Sequence, residues 1–388
     1  MRITRIEAIP VNVPLKPGMT TKTSHGIHAT SPYVIVRVHT DAGLVGLGEA
    51  TVAPRWSGET SLGAVAIIEG LFAPVLIGED PTQVTRLRRK IESTIRLNPF
   101  TKAAVEMALW DLSGKAAGVP VYQILGGKVR EEMPIRMVVG SLDVNSAVAL
   151  ARQFLEWGAR CLKVKVGLDP RQDVERVRAV RELAGPHIPI SVDANCGWTV
   201  PQAVQTLARL REFNILFAEQ PIATGDPAEL AALRRRTEIP IMADESAFTA
   251  GDVWTLTAHR AVDIISVYPG KNGGIQATVE CVHAAKAAGI PCAMGSNLEL
   301  GIGTAAMLHL GAALPTIASE QFPGDFIGPL YHAADLLRTP LRLGPVAAVV
   351  PDGPGLGVEL DDDQLEHYRD CSAVAQSTGS TTNLTFEG

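Results

Sequence analysis

From Met133 onward the chain repeats one pattern: a short apolar run, an Ala/Leu/Arg-rich stretch, then the next apolar run. The runs are Met133–Gly140, Cys161–Val166, Ile188–Asn195, Ile215–Pro221, Ile239–Ser246, Asp263–Pro269, Ile290–Ser296 and Thr316–Glu320. They recur at intervals of about 25 residues, and stretches between them such as Val174–Ala184 and Pro201–Glu212 carry helical spacing. Eight strand-like runs alternating with helices predict an α/β fold, a closed parallel (β/α)8 barrel of the TIM type. No G-x-G-x-x-G follows an early run, which argues against a dinucleotide-binding sheet.

Charge falls in an unusual place within these runs. In Cys161-Leu-Lys-Val-Lys-Val-Gly167, Lys163 and Lys165 share one face of a strand while Val164 and Val166 share the other. Burying an unpaired ammonium costs several kcal/mol, and two cations side by side lower each other's pKa, one way to make an amine basic enough to act on carbon near neutral pH. The third run ends with Asp193 and Asn195, the fourth with Glu219, the fifth with Asp244, and the sixth leads into Lys271-Asn-Gly-Gly274. In a barrel those positions place each group at the C-terminal mouth of consecutive strands, where active sites of this architecture lie. Taken singly, each acid is equally a helix N-cap. Together, three carboxylates on neighbouring strands repel one another severely, and a bound cation resolves this. All-oxygen ligation selects Mg²⁺ or Mn²⁺ over zinc. A substrate carboxylate on that metal presents its α-carbon between Lys165 on one side and Lys271 on the other, each able to act as base or acid. Lys163 lowers the pKa of Lys165 and holds the carboxylate, and the metal stabilises the enediolate left when the α-proton departs.

Residues 1–127 have a different texture. Ile3 to Pro14, Tyr33–His39 and Leu44–Glu49 read as strands of an antiparallel meander, with turn chemistry at Asp41-Ala-Gly43. Two polar, glycine-containing segments, near 16–30 and 51–60, are long enough to serve as mobile lids. They carry His25, His28 and Trp56 as residues able to meet a substrate. Ala104, Met107, Ala108 and Leu112 make one helical stripe that stops before Gly118-Val-Pro120. Leu125-Gly-Gly127 marks the domain boundary, with the barrel over 128–335 and a segment 336–370 packing back on the first domain. Residues 371–388, rich in Ser and Thr, read as disordered. His283 and His309 sit in helical patterns and read as packing residues.

At 388 residues the chain can bury a large core, and 46% hydrophobic against 20% charged residues describes an ordinary globular protein. The formal charge of −6 supplies no basic face for nucleic acid. No apolar run approaches the roughly 18 residues a membrane span needs, and Met1-Arg-Ile-Thr-Arg-Ile lacks a signal-peptide layout. The five cysteines are scattered without CxxC spacing, so they read as free thiols in a reducing cytoplasm.

The combined motifs K-x-K (Lys163, Lys165), D-x-N (Asp193, Asn195), E-Q-P (Glu219–Pro221), D-E-S (Asp244–Ser246) and K-N-G-G (Lys271–Gly274) resemble the enolase superfamily, and within it the muconate lactonising enzyme subgroup. Ala108-Leu-Trp-Asp-Leu-Ser-Gly-Lys115 is similar to a signature of that family's N-terminal α+β capping domain. The resemblance covers nearly all the chain to about residue 370. It implies an enolase-like modified barrel, Asp193, Glu219 and Asp244 as Mg²⁺ ligands, Lys165 and Lys271 as the acid/base pair, a small carboxylate substrate and a homo-oligomer. Asp325-Phe-Ile-Gly-Pro329 lines up with the subgroup's Glu-x-x-Gly-Pro segment with Asp in place of Glu, while Glu320 competes for the same role. Asn195 after strand three, and Ser296 and Glu299 after strand seven, are expected to touch substrate. Dipeptide epimerases of the subgroup carry Asp-x-Asp near strand eight; Glu320-Gln-Phe322 departs from that. The implied reaction is muconate-type cycloisomerisation, with racemisation of an amino-acid or proline derivative, or dehydration of a hydroxy(imino) acid, as alternatives. A Schiff-base lysine enzyme and a non-catalytic binding barrel are the competing classes.

Overall fold

The computed structural model describes residues 1–370 apart from the side chains of Thr21, Ile27 and His28. The tail expected to be disordered and the role expected of His28 therefore lie outside the described residues. Five strands open the chain: β1 (Ile3–Pro14), β2 (Thr21–Thr23), β3 (Gly26–His28), β4 (Thr30–Thr40) and β5 (Val45–Ala50). β1, β4 and β5 form the antiparallel sheet in that order, while β2 and β3 make a separate hairpin. Tyr33-Val-Ile-Val-Arg-Val-His39 reads as an alternation of apolar and polar residues, and burial in β4 does not follow it. Tyr33, Val34, Ile35 and Val36 are all fully buried, so this strand is covered on both faces.

The helix Pro99–Ala117 causes part of that burial. It lies so close to β5 that a Cβ on Gly48 would stand 1.7 Å from the Ala104 carbonyl oxygen, and one on Gly46 2.2 Å from that of Ala108. Only glycine permits this approach. The expected apolar stripe proves too narrow, because Phe100, Ala103, Val105, Glu106 and Asp111 are buried as well. Glu106 explains how the helix is enclosed on a second side: it accepts hydrogen bonds from Ile275 N (2.6 Å) and Gln276 N (2.8 Å), the first residues of the barrel helix Ile275–Ala287. Glu49 likewise accepts from Leu300 N and Gly303 N at the start of helix Gly301–Ala313. Glu59 accepts from Phe100 N and Thr101 N. Three buried carboxylates thus satisfy orphan N–H groups at helix starts, where the helix dipole favours negative charge.

The remaining strands are β6 (Glu132–Pro134), β7 (Met137–Val139), β8 (Leu162–Lys165), β9 (Ile190–Asp193), β10 (Ile215–Glu219), β11 (Ile241–Ala243), β12 (Ile264–Val267), β13 (Cys292–Met294) and β14 (Ala347–Val349). β7 through β13 form one parallel sheet in sequence order, and β6 pairs instead with β14. The eighth expected strand, Thr316–Glu320, is not regular. Ile317 bridges to Cys292 on one side and Gly324 bridges to Ile135 on the other, with Arg136 N donating to Gly324 O and Gly324 N to Pro134 O. The ring therefore closes through an irregular stave. Pro323, which has no N–H, precedes the bridge and breaks the ladder. The segment after the barrel returns to the N-terminal sheet, where Asn12 N donates to Tyr368 O (2.9 Å) and Val11 bridges Arg369.

His309 is a packing residue as expected: it is fully buried, its ring bonded to Leu356 O, and burial pushes it down to about 4. His283 is in a helix but exposed, because it falls on the outer face. Among the described residues, no helix is long and apolar enough to cross a membrane.

Candidate active site at the barrel mouth

A cavity of about 740 Å³ opens where the C-terminal ends of β8 to β11 meet the hairpin β2–β3 and the loop around Trp56. Lys163, Lys165, Asp193, Asn195, Glu219 and Asp244 all border it. Their convergence follows from register. Lys165 pairs with Asp193 across β8–β9, and Asp193 with Glu219 across β9–β10, so three successive staves end at the same height.

Each carboxylate is held by an ammonium. Lys163 Nζ lies 2.8 Å from Asp193 Oδ2, 2.8 Å from Glu219 Oε2 and 3.1 Å from Asp325 Oδ2. Lys165 Nζ lies 2.6 Å from Asp193 Oδ2 and 2.9 Å from Asn195 Oδ1. On the far side, Lys271 Nζ donates to Asp244 Oδ1 (2.7 Å), Asp244 O (3.0 Å) and Ser266 O (2.7 Å). Lysines flank the acid trio on both sides, as the strand order requires, but they are not equivalent. Lys165 keeps 13% of its side chain exposed and borders the cavity. Lys271, on the short helix Pro269–Asn272, is wholly buried behind Asp244 and gives all three N–H donors to protein acceptors.

The electrostatics correct one expectation. Burial pushes the Lys163 ammonium down, but the carboxylates of Asp193, Asp325 and Glu219 outweigh it and hold Lys163 well above the ordinary lysine range. Repulsion from Lys165 does not make it a neutral amine, because three anions stand closer to the balance than one cation. Burial raises Asp193, yet Lys163 and Lys165 bring it below the usual carboxylate range. Glu219 goes the other way: burial, with the neighbouring Asp193 and Asp244, pushes it up to about 7 despite Lys163 and Arg136.

The three acids fit a hard divalent cation by donor type, since all offer oxygen to one cavity. Glu219 Oε2 has its ion pair to Lys163 but no well-aligned hydrogen bond. The strand ends predict that the three carboxylates converge on one point, and their oxygens do not: Asp193 and Glu219 turn to Lys163 and Asp244 turns to Lys271. The nearest ammonium wins when like charges are separated by only a strand spacing.

The expected substrate-contacting residues divide. Asn195 and Ser296 border the cavity, and Asp325 borders it while forming an ion pair with Arg136 and Lys163. Glu299 does not reach the cavity. It is buried beneath the loop, accepting from Ser296 Oγ (2.6 Å) and Asn297 N (3.1 Å), and so fastens the turn that presents both. Glu320 is excluded from the site: its side chain is 65% exposed and paired with Arg130 Nε at 2.8 Å. The irregular stave puts Asp325, not Glu320, beside β7. Trp56 borders the cavity and also packs against Phe100 and Phe248, with ring centroids 5.5 and 5.1 Å apart. His25, at the tip of the hairpin, borders the cavity and bonds Glu245 Oε1 at 3.0 Å.

Two contributors, Gln220 and Arg136, are not among the site residues expected from the sequence. Gln220 is fully buried at φ +34°, and its Oε1 accepts from Asp244 N and Ser246 N, fixing the end of β11 against β10. Arg136 is buried beneath the acids, donating to Asp325 and standing 3.6 Å from Glu219. A lone arginine inside an apolar run was the available clue.

Residues 146–364 match the family model described as the enolase C-terminal domain-like family, and residues 4–126 match that of the mandelate racemase/muconate lactonizing enzyme N-terminal domain. The chain is 31% identical to an N-succinyl-L-Arg/Lys racemase of Bacillus cereus, over 94% of this chain and 97% of that one. It is 34% identical to muconate cycloisomerase 1 of Rhodococcus opacus, over 95% and 98%. The crystal structure of a dipeptide epimerase from Cytophaga hutchinsonii, complexed with Mg and D-Ala-L-Val, superposes with a TM-score of 0.90 at 33% identity, over 95% and 98% of the two chains. The chain belongs to the mandelate racemase/muconate lactonizing enzyme family, among the isomerases of the enolase superfamily.

Proposed function

We propose that this enzyme moves the proton α to the carboxylate of a small organic acid, with Lys165 Nζ as the group that carries the proton and cycloisomerisation of a muconate-like diacid as the reaction. The observation that carries it is the position of Lys165: of the two lysines bordering the cavity it is the more exposed, and its Nζ lies 2.6 Å from Asp193. Asn195 orients it through Oδ1, and Asn195 is itself held by Glu245 through Nδ2. When bound, a divalent cation, Mg²⁺ by donor chemistry, is held by Asp193, Glu219 and Asp244 and supplies the positive charge that lowers the cost of removing a proton next to a carboxylate. Lys163 stays an ammonium, held so by its three carboxylates, and supplies fixed positive charge under the substrate. Trp56 and the hairpin tip at His25 border the cavity mouth, placed to cover a bound substrate.

A Schiff base on Lys165 or Lys271, the competing class, predicts borohydride trapping with a carbonyl substrate and turnover that a chelator leaves unchanged. The second reading is racemisation or epimerisation at the same carbon, and the flank that Lys271 makes beside Asp244 favours it. A two-sided exchange needs a proton carrier on each face.

Incubation with Mg²⁺ in D₂O, with mass analysis of solvent exchange, separates the two. Muconates and N-acyl amino acids are the substrate panel. Cycloisomerisation predicts deuterium in the lactone and loss of turnover, by about 10²- to 10⁴-fold, in Lys165→Ala. The same reading leaves Lys271→Ala partly active. Racemisation predicts that each lysine variant loses exchange on one enantiomer only. Unchanged turnover in Lys165→Ala removes both readings.

A further inference from the structure

Among the described residues, one trio of His, Cys, Asp or Glu has ligand atoms all within 4.8 Å of one another, and it lies outside the acids on β9 to β11: His25, Cys196 and Glu245. The three come from separate parts of the chain. His25 is at the tip of hairpin β2–β3, Cys196 follows β9, and Glu245 follows β11. Asn195 and Cys196 both take left-handed backbone, φ +43° and +66°, which turns Cys196 out of the strand direction. Glu245 is anchored through Oε1 by Asn195 Nδ2 (3.0 Å) and His25 Nε2 (3.0 Å). Its other oxygen, Oε2, is buried with no hydrogen-bond partner, and 94% of the side chain is removed from solvent. A carboxylate oxygen in that condition is costly unless something binds it.

We propose that His25, Cys196 and Glu245 form a second cation site, taking a borderline divalent ion such as Zn²⁺, that clamps the hairpin across the cavity mouth. The donor set is imidazole nitrogen, sulfur and carboxylate oxygen, which suits zinc and not the all-oxygen preference of Mg²⁺. Ligands at ~2.0–2.3 Å from a tetrahedral zinc stand roughly 3.3–3.7 Å apart. His25 and Glu245 are already at 3.0 Å, so closure asks for a side-chain movement on the order of 1 Å by Cys196. Binding forms the zinc–sulfur bond as the Cys196 thiol releases its proton to solvent. The neutral His25 ring, whose Nε2–H donates to Glu245 in the metal-free protein, shifts its one proton to Nδ1, and the freed Nε2 lone pair takes the metal. Water completes the fourth position. Burial, with the carboxylates of Glu245, Asp244 and Asp193, pushes the Cys196 thiol up in the metal-free protein, so the thiolate forms only as the cation binds and its charge offsets theirs. Since Ser24 Oγ already donates to Asn195 O, the metal adds a second tie between the hairpin tip and the strand ends, and access to Lys165 closes.

The full chain, saturated with Mg²⁺, is titrated with Cd²⁺ as a spectroscopic stand-in for Zn²⁺, following the thiolate-to-metal absorption band in the ultraviolet and proton release. One equivalent with one proton released is expected. Cys196→Ser should abolish the band. His25→Ala should weaken binding at least about 100-fold, since loss of a mere supporting partner already costs about 10–100-fold. Cys371→Ser, which removes the thiol in the undescribed tail, should keep the band. Micromolar Zn²⁺ should inhibit the wild type reversibly and leave Cys196→Ser uninhibited relative to its own zinc-free rate. No band in the wild type, a band surviving in Cys196→Ser, or a band lost in Cys371→Ser overturns the site. These optical readouts stand whether or not Lys165 proves to be the proton carrier.

Discussion

Two sets of buried carboxylates in this protein meet the same difficulty in opposite ways. At the barrel mouth, Asp193, Asp325 and Asp244 are neutralised by full charges on Lys163, Lys165, Arg136 and Lys271. Glu49 and Glu106, between the N-terminal region and the barrel, and Glu59, within the N-terminal region, instead meet helix-start N–H groups, with Thr101 Oγ1 added at Glu59 and Trp110 Nε1 at Glu106. The consequence shows in protonation. Asp193 and Asp325 are held below the usual carboxylate range, whereas burial pushes Glu49 up to about 8 and Glu106 up to about 7. Backbone dipoles satisfy hydrogen bonds without offsetting the desolvation of a full charge. Glu219 belongs spatially to the first set but behaves like the second, because Lys163 is shared among three acids.

The strongest way to break this contrast is to unpair a site cation. Asp193→Ala leaves Lys163 and Lys165 without their common partner and should cost ~3–5 kcal/mol in denaturant titration of the metal-free enzyme. A loss below about 1 kcal/mol would mean that the ion pairs are not what keeps those lysines buried. Glu49→Ala orphans two N–H groups and should cost less, ~1–3 kcal/mol. Glu49→Gln should recover part of it, since an amide oxygen still accepts.

The pH dependence sharpens the same contrast, because the signs are opposed. A carboxyl raised in the folded state contributes stability that is full below its ordinary value and lost as pH rises through the folded one. Glu49 and Glu106 should therefore weaken the protein between about pH 4.5 and pH 7–8. Asp193 and Asp325, being lowered, contribute stability that is present above their ordinary value of 3.8 and lost as pH falls below it. Thermal melts across pH should show the alkaline limb flatten in Glu49→Gln while the acid limb stays. The smallest effect is expected at Glu320. Glu320→Ala should change stability by no more than ~0.5 kcal/mol and leave turnover unchanged, since its pair with Arg130 is exposed and remote from the cavity.

The period of the apolar runs and the charge at their ends made the strands β8 to β12 and the positions of Lys163, Lys165, Asp193, Glu219, Asp244 and Lys271 legible in advance. Both signals are local: alternation sets the face, and run length sets the strand end. Glu299 and Glu320 were misplaced because each depends on a turn. Leu298, at φ +62°, directs Glu299 inward to hold Ser296, and the broken eighth stave carries Glu320 out to Arg130. The three helix-capping glutamates escaped notice because their donors lie tens to hundreds of residues away in the chain.

By itself the sequence determined the kind of chemistry available: amines and carboxylates in a fixed order, spaced so that neighbouring strands carry them to one rim. Only the tertiary structure decided which groups are charged and which are reachable. It closed a barrel through a stave without regular pairing, buried Lys271 while leaving Lys165 at the cavity, and set His25 against Glu245 from 220 residues away. Protonation and access depend on what surrounds a group in three dimensions, and linear spacing does not encode the dielectric or the neighbours that fix them.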